Sequence, residues 1–320
     1  MPVIDLHTHF IPSFVIEEAA SGGCMGVVEE DGWFVHPEGF RYPVGPEAHD
    51  PATILAAADE RGIDIVALSL IPPFFCYQHP VEENVAFARR ANDALAQLTR
   101  DHDRIEGLAT LPLQAGDGAA AELERAVTDL GLRGAHIGTA SAHDVPLDNG
   151  ELESMFETAS RLGVPLMLHS TYVGLKPGLE DFYLTNTVGN LLDTTVSSAR
   201  LIHAGVFDRH ENLKVALVHA GGYLPWQIGR FDHAYDVRQE PRVSLSRPPS
   251  EYLDRFWMDT ITHSDESLEF LASRIGTGRI YLGTDIPFDM GTTAPLERIK
   301  RVGIDPEEIG ATAAELINLS

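Results

Sequence analysis

The chain has 320 residues, 44% of them hydrophobic and 8% aromatic, with charges of both signs spread through it; such a profile excludes a fibrous or disordered protein and leaves ample apolar surface for a large core. A formal net charge of −25 argues against nucleic acid and anionic membrane as partners, since both recruit clustered positive charge. Cys24 and Cys76 make neither a zinc-ribbon spacing nor a secreted disulfide framework. The N-terminus lacks a basic region followed by an apolar run, and no apolar stretch reaches the roughly 20 residues of a membrane span, so a soluble cytoplasmic protein is expected.

In chain order, the first apolar run is Val3–Leu6. A Gly-, Pro- and aromatic-rich excursion over about residues 11–50 follows, read as a small insertion with a hairpin around Trp33–Tyr42. An amphipathic stretch, Pro51–Arg61, then leads to a second apolar run, Ile63–Ile71. The alternation continues with helix Val81–Arg100, strand Arg104–Leu111, helix Gly118–Leu130, strand Arg133–Ile137, helix Glu151–Leu162 and strand Pro165–His169. A loop over Lys176–Asn186 precedes helix Val188–Phe207, strand Lys214–His219, strand Phe256–Asp259, helix Asp265–Ile275 and strand Arg279–Gly283. Most runs are continuously apolar, as parallel strands covered on both faces are. Eight strands alternating with helices in a chain of this length predict an α/β fold, a (β/α)8 TIM barrel forming one domain over 1–320, with a doubly wound open sheet as the alternative. The two long loops would then lie over the C-terminal mouth.

The chemistry is concentrated at strand ends. Asp5-Leu6-His7-Thr8-His9 closes the first strand, where residues two apart face the same side, so His7 and His9 can grip one ion. An isolated His-x-His is more often a surface pair. Here His169 ends the fifth strand, His219 the sixth, and Asp285 follows the eighth in Gly283-Thr284-Asp285. In a barrel these ends converge on one mouth. Three imidazoles and a carboxylate, from His7, His9, His169 and Asp285, form a mixed nitrogen and oxygen donor set. It favours one zinc ion and leaves manganese, iron and cobalt open. A further coordination position would hold water, whose pKa zinc lowers to about 7. His219 is assigned as general base beside that water rather than as a ligand.

The opening Asp-Leu-His-Thr-His, His169, His219-Ala220-Gly221-Gly222 and Gly283-Thr284-Asp285-Ile286-Pro287-Phe288 together resemble the amidohydrolase superfamily. More narrowly, they resemble the branch of 2-amino-3-carboxymuconate 6-semialdehyde decarboxylase and related non-oxidative aryl-acid decarboxylases. The resemblance implies a single zinc on His7, His9, His169 and Asp285, with His219 activating its water. It also implies that Arg41, in Gly39-Phe40-Arg41, holds a substrate carboxylate and that Arg230 is supplied to a neighbouring subunit's site. Phe288 would line the pocket. Arginine suits both clamps because its planar fork binds carboxylate in bidentate fashion. The branch tends to carry tryptophan after the fifth strand, whereas this chain has Phe182-Tyr183-Leu184-Thr185-Asn186, so a different substrate is expected. Lys176, Lys214 and Lys300 are the only lysines. None ends a fourth strand, where the wider superfamily's carboxylated lysine bridges two metals, so one metal is expected.

The expected activity is therefore metal-dependent, non-oxidative decarboxylation of a small unsaturated or aromatic carboxylic acid, without an organic cofactor and in a homodimer. The alternative on the same site is a hydrolase or hydratase acting on a small carboxylated lactone, amide or dienoate. A metal-holding scaffold without turnover is a third reading.

Overall fold

Eight apolar runs become eight parallel strands in the computed structural model, which describes residues 1–37, 41–142, 145–171 and 178–319. They are β1 (Ile4–Phe10), β2 (Ile65–Leu70), β3 (Ile105–Leu108), β4 (Ala135–Gly138), β5 (Pro165–His169), β6 (Lys214–Leu217), β7 (Phe256–Asp259) and β8 (Ile280–Ile286). The sheet runs β3-β2-β1-β8-β7-β6-β5-β4. A parallel bridge, Ala109 to Ala135, joins its two ends, with the Arg133 amide donating to Gly107 at 2.9 Å, the Ala109 amide to Gly134 at 2.9 Å and the His136 amide to Ala109 at 2.8 Å. The result is the expected (β/α)8 barrel and not an open sheet.

Local chemistry sets the outer helices. Helix Pro51–Arg61 begins where the Asp50 carboxylate accepts the Thr53 amide and ends at Gly62 in the left-handed region, a start and stop that need no tertiary help. Ser264 caps Asp265–Ile275 in the same way, with acidic residues in the first turn. The expected helix Val188–Phe207 is instead three pieces: a π-helical turn at Thr185–Asn190, helix Leu191–His203 and a short helix Val206–Arg209. Gly205, at φ 68°, breaks the last two apart.

Three apolar clusters fill the molecule. The largest lies between barrel and helices. A second fills the barrel floor, where Ile4, Leu6, Ala67, Met167, Ala216 and Tyr281 meet Ala313 and Leu316 of helix Pro306–Leu316 and Ile317 just after it. A third joins the insertion to the barrel, packing Val15, Val27, Phe34 and Tyr42 against Leu70, Phe74 and Phe87. The insertion contains helix Ser13–Ser21 and a three-stranded antiparallel sheet of Val28–Glu30, Trp33–Val35 and Arg41–Pro43. The expected hairpin is its second strand pair; residues 38–40, including Gly39 and Phe40, lie outside the described residues.

Two polar networks tie helices to this frame. Asn92 donates to the Thr110 carbonyl and to Glu122 Oε1, and accepts the Thr110 amide, at 2.7–2.9 Å; Arg125 pairs with Glu122 behind it. Asp208 accepts from the Tyr252 hydroxyl at 2.6 Å and from the Ser246 hydroxyl at 2.8 Å.

Candidate metal centre and substrate cavity

The two histidines of β1 reach the interior through a change of parity. Ile4 and Leu6 sit in the barrel floor, while Asp5 and Thr8 line a small cavity of about 20 Å³ beside Ile54 and Ala57. Register irregularities between Asp5 and Thr8, against both neighbouring strands, re-aim the strand so that His7 and His9 follow Leu6 inward, as bulges do near functional sites. The strand runs on to Phe10, beyond the expected end at Leu6. On β5, Met167 and His169 share the inner face by simple alternation, and on β8 so do Tyr281, Gly283 and Asp285.

One donor atom from each of His7, His9, His169 and Asp285 lies within 4.8 Å of every other, and all four residues are buried. His219 adjoins them, its ring centroid 5.3 Å from His7 and 5.0 Å from His169, with Nε2 3.5 Å from Asp285 Oδ2. Phe288 packs edge-on against His9 with centroids 5.2 Å apart.

Hydrogen bonds behind the rings aim their nitrogens at a common centre. His7 Nδ1 meets Asp259 Oδ2 at 2.7 Å, and His169 Nδ1 meets the Ser170 carbonyl at 2.9 Å. Each partner accepts, so the far Nε2 carries the lone pair. Both Nε2 atoms are buried without a hydrogen-bond partner. Orphaned lone pairs beside a carboxylate are what a divalent cation satisfies, so the residues present fit one such ion.

Electrostatics agree with that reading. Burial pushes the His9 imidazole down to about 4 and holds His169 well below its ordinary value, with neighbouring imidazoles adding to the effect. Burial also opposes charge on His7, yet Asp285 and Asp259 outweigh it and raise the ring. Burial alone would raise Asp285, but His7, His219 and His9 together hold it well below the carboxylate range. The site thus offers mostly neutral imidazoles and one anion, the forms that bind metal.

His219 stands outside β6, which ends at Leu217, and opens a turn in which His219, Ala220, Gly221 and Gly222 have φ of 53°, 54°, 74° and 62°. Left-handed backbone costs non-glycine residues about 1–2 kcal/mol each. Gly222 is needed for contact as well, since a Cβ there would enter the Leu191 carbonyl. Above the turn opens a cavity of about 580 Å³ lined by Asn186, Asn190, Tyr223, Trp226, His263 and Met290, with His219 and Asp285 at its floor. Trp226 is held flat on Phe270 at 4.0 Å. The described lining residues include no lysine or arginine.

The expected arginines lie elsewhere on this chain. Arg41 is exposed, its guanidinium 5.7 Å from the Trp33 ring centroid, and Arg230 is exposed on helix Leu224–Val237. Sequence reasoning missed Asp259, read only as a strand end. It also missed His136 on β4, wholly buried with ring centroids 5.5 Å from His9 and 5.3 Å from His169. A histidine two residues before the end of a strand on the inner face was the available signal for the second.

Comparison with known proteins fits this geometry. The amidohydrolase family model matches residues 4–317. A 2-amino-3-carboxymuconate-6-semialdehyde decarboxylase of Dictyostelium discoideum is 31% identical, over 99% of this chain and 91% of its own. A gamma-resorcylate decarboxylase of Rhodococcus jostii is 32% identical, over 73% of this chain and 76% of its own. Among solved structures, 2,6-dihydroxybenzoate decarboxylase with 2,6-dihydroxybenzoate superposes with a TM-score of 0.78 at 26% identity, over the full length of both chains. A dihydroxybenzoic acid decarboxylase of Polaromonas with bound manganese and 2-nitroresorcinol gives 0.79 at 26% identity, covering 99% of this chain and 97% of that one. The chain belongs to the amidohydrolase family, on the branch that holds these decarboxylases.

Proposed function

We propose that this protein is a metal-dependent, non-oxidative decarboxylase of a small aromatic or unsaturated carboxylic acid. The observation that carries the proposal is the buried four-donor cluster that reaches a cavity through Asp285 and the adjoining His219, in a chain with decarboxylase relatives along nearly its full length. His7, His9, His169 and Asp285 would hold one divalent ion, for which we favour zinc on its mixed donor set. When bound, that ion supplies Lewis acidity and a fixed positive charge for the substrate's oxygens.

The chain's own residues do the rest. Tyr223 and Trp226 present aromatic faces to a flat acid, and Phe288, which packs on His9 outside the cavity's described lining, is proposed as a further aromatic contact. His219 Nε2 holds a proton at the cavity floor. Passing it to the carbon that bears the carboxylate makes that carbon tetrahedral; the carbon–carbon bond then breaks, its electron pair returns to the ring and carbon dioxide leaves.

Arg41 and Arg230 are proposed as carboxylate clamps. Arg230 would act in the cavity of a second copy, and three observations support such a homodimer. The cavity's described lining has no lysine or arginine, Arg230 is exposed, and Trp226, one turn before it, and Leu192 and Val196 on the adjoining helix Leu191–His203 are 41%, 39% and 48% exposed. We further propose one domain over 1–320 with its insertion at about 11–50, working in the cytoplasm, where the two buried free cysteines stay reduced.

Metal analysis of the purified protein and a gas-release screen on hydroxybenzoates and carboxymuconates test the reading. One metal per chain, and one carbon dioxide for each acid consumed, is the expected result. Consumption of a lactone or amide with a new carboxylate and no gas would replace decarboxylation with hydrolysis.

A further inference from the structure

We infer that Asp259 is a positioning residue that holds metal ligand His7 and the turn carrying His219 in one fixed arrangement. The inference rests on the ligand assignment above but not on the reaction. Asp259 ends β7 and is wholly buried. Four groups converge on its two oxygens. Oδ2 meets His7 Nδ1 at 2.7 Å and accepts the His219 amide at 2.9 Å. Oδ1 accepts the Ala220 amide at 2.7 Å and the Ile261 amide at 3.1 Å.

Each contact has a consequence for the site. Amides donate, so both oxygens accept, and His7 carries a proton on Nδ1; in the neutral ring this leaves an unprotonated Nε2 directed at the other ligands. That Nε2 has no hydrogen-bond partner and lies 3.4 Å from Asp285 Oδ1, a fellow ligand. The His219 and Ala220 amides belong to the two non-glycine residues held at φ 53° and 54°, so the same carboxylate anchors the unusual backbone that lifts His219 to the cavity floor. Space is reserved for it: a Cβ on Gly283 would lie 2.9 Å from Asp259 Cβ and 2.9 Å from His7 Cβ. A carboxylate with four acceptor sites meets all four donors. An asparagine cannot, because its NH₂ edge would face either His7 and His219 or Ala220 and Ile261.

The test uses the full chain and two readouts that need no turnover. Long-range ¹H–¹⁵N spectra of the metal-free wild type, at a pH where the ring is neutral, report which His7 nitrogen is protonated. Competition with a chromophoric chelator gives the affinity for Zn²⁺ and Mn²⁺. Wild type is expected to show His7 protonated on Nδ1. Asp259→Asn, folded by circular dichroism, is expected to bind both ions roughly 10–100-fold more weakly and to shift the His219 amide resonance. Protonation of His7 on Nε2 in the wild type, or an Asp259→Asn affinity within about threefold of wild type, would overturn the inference. Should the variant fail to fold, the wild-type tautomer still decides. Should the acid screen give no gas, both readouts stand unchanged, so failure of the proposed reaction is distinguishable from failure of this assignment.

Discussion

Titrating the apoprotein with a divalent metal should raise its melting temperature by a fixed step for each decade of free ion. An ion that binds only the folded chain adds RT ln(1 + [L]/Kd), so above Kd every tenfold increase contributes about 1.4 kcal/mol. An unfolding entropy of about 2.1 cal/mol/K per residue, applied to this chain, gives roughly 0.7 kcal/mol per degree and hence a slope of about 2 °C per decade. The slope does not depend on the unknown Kd, which makes it a sharper test than one shift. It should appear because His7 and His169 each bury an Nε2 without a hydrogen-bond partner, and coordination satisfies both. The assay is scanning calorimetry after dialysis against chelator, with Zn²⁺ or Mn²⁺ buffered over several decades. Asp285→Ala should flatten the line over the same range. A wild-type melting temperature that ignores the ion, or a variant that climbs in parallel with wild type, would refute the site as drawn.

Away from the site, Asn92→Leu should strand the Thr110 amide and its carbonyl while Glu122 keeps Arg125, and cost about 2–5 kcal/mol in urea unfolding, at about 1–3 kcal/mol per buried orphan, with metal stoichiometry fixed; a loss below about 1 kcal/mol would contradict the network. Asp208→Asn should cost about 1 kcal/mol at pH 7. Burial works against the Asp208 charge, but its bonds from Tyr252 and Ser246 hold the folded carboxyl below its ordinary 3.8. The stabilisation is therefore present above that value and lost as pH falls through the folded one, so the difference between wild type and variant should shrink by pH 3; a constant difference would show that charge is not the cause. Gly222→Ala should push the His219 turn off Leu191 and reduce kcat more than metal affinity. Equal loss of both would place the damage at the ligands instead.

The sequence displayed the barrel because each strand is buried on both faces and therefore continuously apolar. It displayed helices Pro51–Arg61 and Asp265–Ile275 to the residue because Asp50 and Ser264 are local caps. What it hid depends on distance in the chain. The break at Gly205 was open to view, but the π-helical turn before it was not, since no local residue pattern marks an extra residue per turn. His7, His9, His169 and Asp285 could be gathered in advance because strand ends converge in any barrel. Asp259 could not, because an aspartate ending a strand is common and only the three-dimensional approach of His7 and the His219 turn gives it partners. Arg41 and Arg230 were legible through resemblance alone, and the chain places neither on its own cavity lining.

The barrel ring is not equally strong all round. β1 is laced along its length to β2 and β8, whereas β3 and β4 are joined near one bridge, Ala109 to Ala135, by the Arg133–Gly107, Ala109–Gly134 and His136–Ala109 bonds, and β4 carries His136 against the rings of His9 and His169. Thermal breathing of the wall concentrates where cross-links are fewest, so solvent deuterium should reach the Ala109 and His136 amides well before those of β1. The buried imidazole wall of the metal cluster then doubles as the barrel's latch, and an ion gripping His9 and His169 would slow the opening of a seam that contributes no ligand of its own.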